Sequence, residues 1–440
     1  MKRFALVVLS VTFALAAPLS KRWWTSNHWV DIWTMAPLLD TSLGLPPPPY
    51  NQSETGVFND TTIRQTFHMT LDADQIRLRV DNQFSATVLS VTSMTVALTA
   101  ANATGATSGQ PTIQTDSVQT ITFNGNSSIQ VPPNAIIVSD PVNLTVVVHQ
   151  DISVSLYLAN GQTGYNVTAH DASVTTSWFT TGGDQTSAYN FTDASTVAFN
   201  KWYYVSGVEA WKSSDSRAAI AIGDSITDHI GATLNGNDGW VDYLFDRMQA
   251  DGSTRDIALV NKGISGNTIL TDAVGIDAVG RIDTDAIIQA GVGYVLLFEG
   301  VNDIGRAANT TAAQDDVYSR LIQGYEQIIT KLHTFGIPVF GSTITPFGAP
   351  SYAKTPNGYS NPTREQTRLR VNYWIINGGR LDYAFDFASA IANETVLSQM
   401  QDQYSSGDYL HPNPKAYKLM ASVVDLSKFG QFANGVSNYL

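Results

Sequence analysis

The stretch Ala218-Ala219-Ile220-Ala221-Ile222 is apolar at every position and stops at Gly223-Asp224-Ser225-Ile226-Thr227-Asp228. A strand with one wet face alternates apolar and polar side chains. An unbroken run of small and β-branched residues fits a strand covered on both faces, as in a parallel sheet between helices. Further apolar runs follow at 257–260, 294–298, 338–340 and 383–387. Between them, 315–335 places Val317, Leu321, Tyr325, Ile328, Ile329 and Leu332 at helical spacing, and 364–376 reads as a second helix. A helix is also expected soon after Ser225. Strand and helix in alternation predict an α/β domain with a parallel sheet, in which ligands bind at the carboxyl ends of the strands.

Before Trp211 the pattern is different. From about Thr61 to Ser206 apolar residues recur at every second position. Ile76, Leu78 and Val80 alternate with Arg77 and Arg79, Val91 to Leu98 continues in kind, and Leu144–Val148 and Ile152–Leu158 follow. Short strands parted by Asn, Gly, Asp and Pro predict an antiparallel β-sandwich, jelly-roll-like, over residues 23–210, with the α/β domain over 211–440. The sandwich opens with Trp23, Trp24, Trp29 and Trp33, either a stacking platform for sugar rings or a terminal strand covering a core edge. Pro46–Pro49 stiffens the connection that follows. His68, His149 and His170 lie in this region with no catalytic pattern around them.

The first residues read as a secretory leader: Lys2-Arg3, an apolar run from Phe4 to Leu15, and the small-residue cleavage signal Ala14-Leu15-Ala16. Residues 17–22 then form a short propeptide ending at the dibasic Lys21-Arg22, so the mature chain is expected to begin at Trp23. Sequons at Asn51, Asn59, Asn102, Asn126, Asn143, Asn166, Asn190, Asn309 and Asn393 agree with a secreted, glycosylated, extracellular protein. No later stretch is apolar for long enough to span a bilayer. With no cysteine in the chain, thiol catalysis, cysteine-bound metals and disulfides are all excluded. The net charge of −13 disfavours nucleic acid and anionic membrane surfaces as partners and suits a neutral ester.

Each strand of the second domain ends in something chemically specific. The second apolar run leads into Asn261-Lys262-Gly263-Ile264-Ser265-Gly266-Asn267, and the third into Glu299-Gly300-Val301-Asn302-Asp303. The last helix is preceded by Asp408-Tyr409-Leu410-His411-Pro412-Asn413-Pro414, with Asn413 as its N-cap and Pro414 as its first residue. A serine becomes a nucleophile only with a base and an oxyanion stabiliser. Asp408 and His411 supply a carboxylate and an imidazole in one loop, the first able to fix the tautomer of the second. The backbone N–H groups of Ser225 and Gly266 and the side-chain amide of Asn302 are candidate oxyanion donors, with a tight turn after the strand as the alternative role of Gly266. Asp224 is read as shaping its turn and Asp303 as packing behind Asn302. His229 is a rival base without evident support, while Trp240 and Phe347 serve either the cleft wall or the core. No His-Glu-X-X-His and no clustered ligand pattern calls for a metal or other cofactor.

Gly223-Asp224-Ser225-Ile226-Thr227 resembles the first signature block of the SGNH, or GDSL-type, hydrolases. Asn261 to Gly266 resembles the second block, Gly300-Val301-Asn302-Asp303 the third and Asp408-Tyr409-Leu410-His411-Pro412 the fifth, in the family's order across roughly 215 to 430. The resemblance implies a flavodoxin-like three-layer α/β/α domain. It makes Ser225 the nucleophile, His411 the general base and acid, Asp408 its partner, and Gly266 and Asn302 parts of the oxyanion hole. The Trp-rich opening and β-rich region are similar to secreted two-domain esterases of this superfamily, fungal ones included. The expected function is a secreted serine esterase on carbohydrate esters, most of all O-acetyl groups of polysaccharide. A lipase or arylesterase on short acyl chains and a glycan-binding protein with a vestigial hydrolase domain are the alternatives. Oligomeric state is left open.

Overall fold

The computed structural model describes residues 26–41, 44–52, 56–350 and 358–437. The leader, the segment 17–22 and Trp23-Trp24 lie outside these described residues. No helix among the described residues is long and apolar enough to cross a membrane.

The first half is built from β1 (His28–Thr34), β2 (Val57–His68), β3 (Ala73–Asp81), β4 (Ser93–Leu98), β5 (Asp151–Gln162), β6 (Val167–His170), β7 (Ser177–Thr181) and β8 (Val205–Lys212), with shorter strands between. Its sheets are antiparallel. One runs β1-β8-β3 and on to Val142–Val146. A second centres on β2 and β5, paired from Asp151↔His68 to Gln162↔Val57, with β7 and β4 outside them, while β6 lies in a three-stranded sheet between Leu38–Asp40 and Trp202–Tyr203. Ile152, Val154, Leu156 and Leu158 of β5 point into the core between the sheets. The alternating polar residues are not in water, because loops cover that face. Arg64 of β2 is fully buried there, its guanidinium donating to Ser155 Oγ and to the carbonyls of Pro111, Gln185 and Thr186. The run from Val91 to Leu98 breaks at Thr92 into two strands rather than one.

The second half holds β9 (Arg217–Gly223), β10 (Ile257–Gly263), β11 (Val292–Phe298), β12 (Val339–Ser342) and β13 (Tyr383–Phe385), all parallel, in the order β10-β9-β11-β12-β13. Numbered within the domain this is 2-1-3-4-5, the flavodoxin-like order. Ala218, Ile220 and Ile222 of β9 face one core while Ala219 and Ala221 face the other, so the continuous apolar run is a strand clothed on both sides. Each buried isoleucine contributes ~1.5–3 kcal/mol relative to exposure. On the second side pack α1 (Trp240–Ala250) and α2 (Pro414–Ser422). Thr311–Thr334 and Pro362–Asn377 cover the first. The last apolar run is shorter as a strand than its pattern suggests: Asp386 caps a helical turn starting at Phe387. Trp240 and Phe347 are both core residues.

No helix follows Ser225 directly. Positive φ at His229 (67°) and Gly231 (94°) breaks the chain into turns, and α1 begins only at Trp240. The two halves meet along β1, which packs on β10 and shares one hydrophobic core with the first face of the parallel sheet.

Candidate active site

Parallel registry brings the functional loops together. Gly223 lies opposite Gly263 on one side and Phe298 on the other, so three strands end level with one another. Ser225 and Gly266 therefore lie on loops, and Asn302 in the first turn of the short helix Val301–Arg306, all leaving the carboxyl ends of these strands. Gly223 and Gly263 leave no room for a side chain: a Cβ on the first would meet Phe298 O at 2.5 Å, and on the second Asp228 N at 2.5 Å. Asp224 shapes the turn as expected, its carboxylate accepting from Ile226 N–H at 2.9 Å.

Ser225 is buried but for 7% of its surface. Its Oγ lies 2.7 Å from His411 Nε2, and His411 Nδ1 lies 2.5 Å from Asp408 Oδ2. The backbone N–H groups of Leu410 and His411 donate to Asp408 Oδ1 at 2.9 and 2.8 Å. Burial works to raise the Asp408 pKa, but the imidazole and these two amides outweigh it and hold the carboxyl down at about 2. Asn413 caps α2 by accepting from Ala416 N–H, and Pro414 is the first helical residue, so the His411 loop is anchored where the helix begins.

On the other side of Ser225, Gly266 adopts φ +81°, a conformation that favours glycine. Neither its amide nor that of Ser225 donates to another described residue. Asn302 gives one N–H to Asn267 O at 2.7 Å and retains a second. Its Oδ1 accepts from Tyr359 O–H at 3.0 Å, which decides the amide's orientation. Tyr359 had no signal in the sequence, since it is 57 positions from Asn302 and outside any motif. Asp303 accepts from Ile269 and Leu270 N–H at 2.9 and 3.1 Å and so steadies the loop after Gly266.

Glu299 and Asp224 lie beneath the site, both enclosed. Burial raises the pKa of each, Glu299 most strongly, with neighbouring carboxylates pushing the same way. His229, unlike the sequence expectation, does have acidic support: its Nδ1 is 3.3 Å from Asp242. Its Nε2 is occupied by Asn261 Nδ2 at 3.0 Å, and it makes no hydrogen bond to Ser225. Among the described residues no group of three or more His, Asp or Glu side chains is placed to hold a metal.

Ser225, Gly266, Asn302, Asp408 and His411 thus gather at the carboxyl ends of a 2-1-3-4-5 parallel sheet, where such folds bind ligands. Residues 221–419 match the model of the GDSL-like lipase/acylhydrolase family, and the domain carrying Ser225 belongs to it. Among solved structures, the chain is similar to an acetyl xylan esterase from Geobacillus stearothermophilus, at 23% identity over 49% of this chain and 94% of that one, with a TM-score of 0.35. It is also similar to an alpha/beta hydrolase enzyme from the metagenome of Lake Arreo, at 19% identity over 49% and 95%, with a TM-score of 0.33. A GDSL-like lipase from Bacteroides thetaiotaomicron VPI-5482 matches at 14% identity over 49% and 89%, with a TM-score of 0.34. No curated protein matches the chain.

Proposed function

We propose that the protein is a secreted serine esterase that hydrolyses carboxylic esters through an acyl-enzyme on Ser225, with acetyl esters of carbohydrate as its substrates. The observation that carries this reading is the hydrogen-bonded chain Ser225 Oγ, His411 Nε2, His411 Nδ1, Asp408 Oδ2. Neutral His411 takes the Ser225 proton as Oγ bonds to the ester carbonyl carbon. The carbonyl oxygen becomes an oxyanion, received by the N–H groups of Ser225, Gly266 and Asn302. Collapse breaks the bond to the alcohol, which leaves with the proton from His411. Water then adds to the acyl group, giving its proton to His411, and the acid departs as Ser225 recovers its hydrogen. Asp408 stays ionised throughout and holds Nδ1–H in place.

The secretory leader supports an extracellular setting, as do the sequon asparagines, none of which is buried. The net charge of −13 supports a neutral carbohydrate ester over a polyanionic one. The test is hydrolysis of acetylated polysaccharides beside aryl acetate and aryl octanoate, with Ser225→Ala as control. Acetate release lost by roughly 10³-fold or more in the variant is expected. Preference for octanoyl esters would turn the reading to a lipase. No hydrolysis, with glycan binding retained in both proteins, would turn it to a binding protein.

A further inference from the structure

The β-sandwich places one side chain behind the oxyanion loop. His170, the last residue of β6, is 3% exposed and its ring stacks on Trp202 at 5.6 Å and 27°. Its Nδ1 is 2.9 Å from the carbonyl oxygen of Ala36, and its Nε2 is 2.7 Å from Asp228 Oδ1. A carbonyl and a carboxylate oxygen both accept, so both ring nitrogens carry hydrogen and the ring is an imidazolium. Burial opposes that charge, but Asp228 outweighs it and keeps the His170 pKa above its ordinary value. The other Asp228 oxygen accepts twice from Ser265, from its N–H at 2.7 Å and its O–H at 2.6 Å. Ser265 shares its peptide bond with Gly266. A cation in one half of the molecule is thus two hydrogen-bonded steps and one peptide bond from an oxyanion donor in the other.

A buried ion pair is weak evidence for stability, because desolvation consumes most of the attraction and an apolar pair of like volume often does as well. Orientation is what this pair supplies. Asp228 belongs to the same turn as Ser225, its N–H donating to Asp224 O at 2.8 Å. With both carboxylate oxygens engaged, it ties the nucleophile's turn to the Gly266 loop. The other charged groups nearby point elsewhere: Lys201 pairs with Asp40 and Asp171, and His229 with Asp242.

We propose that His170 is a positioning residue for ester hydrolysis: through Asp228 and Ser265 the β-sandwich fixes the Ser265–Gly266 peptide so that Gly266 N–H meets the oxyanion. This rests on the esterase reading above. The test is steady-state hydrolysis of p-nitrophenyl acetate by the full chain and by His170→Leu, His170→Gln and Ser265→Ala. For His170→Leu, kcat is expected to fall by about tenfold or more with KM changed less than about twofold, because an oxyanion donor acts in the transition state. His170→Gln, whose amide can still donate to Asp228, recovers most of the loss. Ser265→Ala lowers kcat in the same way, and combining it with His170→Leu adds little.

A folded His170→Leu enzyme with kcat close to wild type overturns the proposal, as does His170→Gln as impaired as His170→Leu. If His170→Leu does not fold, Ser265→Ala decides: wild-type kcat there overturns it. Independently of activity, ¹⁵N spectra are expected to show both His170 ring nitrogens protonated near neutral pH, and a neutral ring overturns it. An active wild type indifferent to these changes counts against His170 alone. A wild type inert toward aryl acetates removes the esterase reading and this inference together.

Discussion

Asp408 is where a single side chain links geometry to a measurable pH dependence. Its carboxyl is held at about 2, below the 3.8 of an unperturbed aspartate. A depressed acid stabilises the fold above its unfolded pKa, and that stability is lost as pH falls toward the folded pKa. The difference is worth about 2 kcal/mol, all present at neutral pH. Urea unfolding of wild type and Asp408→Asn should therefore differ fully above about pH 5, with the gap narrowing as pH falls below about 3.8 and closing only below about pH 2. A gap that stays constant over that range would contradict the ion-paired state of Asp408. The pair was legible in the sequence because both members sit in one loop with a recognisable helix start behind them. Tyr359 and His170 were not, since each meets its partner, Asn302 or Asp228, across more than fifty residues with no periodic mark.

The strand ends are the unit at which the site is assembled. The apolar runs alone mark out β9, β10 and β11, because a strand buried on both faces has no alternation to disguise it. What they leave out is the closeness of β10 to the turn after β9. A Cβ on Gly263 would come within 2.9 Å of three backbone atoms of Thr227 and Asp228. Gly263→Ala is thus expected to cost ~1–3 kcal/mol and to lower kcat, because the overlap pushes against the turn that carries Ser225. Unchanged stability and kcat would show that the turn yields freely. Fewer boundaries were legible where tertiary contacts decide them. His229 and Gly231 end any helix after Ser225 through positive φ, and Asp386 converts the tail of the last apolar run into a capped turn.

At the scale of the molecule, the sandwich and the α/β domain are joined by polar contacts as well as by a common core. Arg79 of β3 donates to Asp31 and Glu209 of neighbouring strands, and also to Gln289 beside β11, at 2.7 Å. Asp31 in turn exchanges backbone and side-chain hydrogen bonds with Ala290. Arg79 alternates with Ile76, Leu78 and Val80 as a solvent-facing residue would, yet it is only 7% exposed, because the second domain covers that face. A period-two pattern cannot distinguish water from another domain's polar edge. Arg79→Met should destabilise the chain by ~3–5 kcal/mol, since buried Asp31 loses its cation and Glu209 is left with Arg77 alone. Denaturant unfolding checks it, and a loss below about 1 kcal/mol would mean that the seam is wet.

Covalent trapping discriminates most sharply whether Ser225 is the nucleophile. Diethyl p-nitrophenyl phosphate offers phosphorus to an activated serine: an Oγ–P bond forms, the P–O bond to the aryl group breaks, and nitrophenol departs. Peptide mass spectrometry after such treatment is expected to find one phosphoryl group per chain, on the peptide containing Ser225, with hydrolysis of aryl acetate lost in proportion. An adduct on a different residue accompanied by the same loss, or undiminished hydrolysis with Ser225 fully labelled, would contradict it.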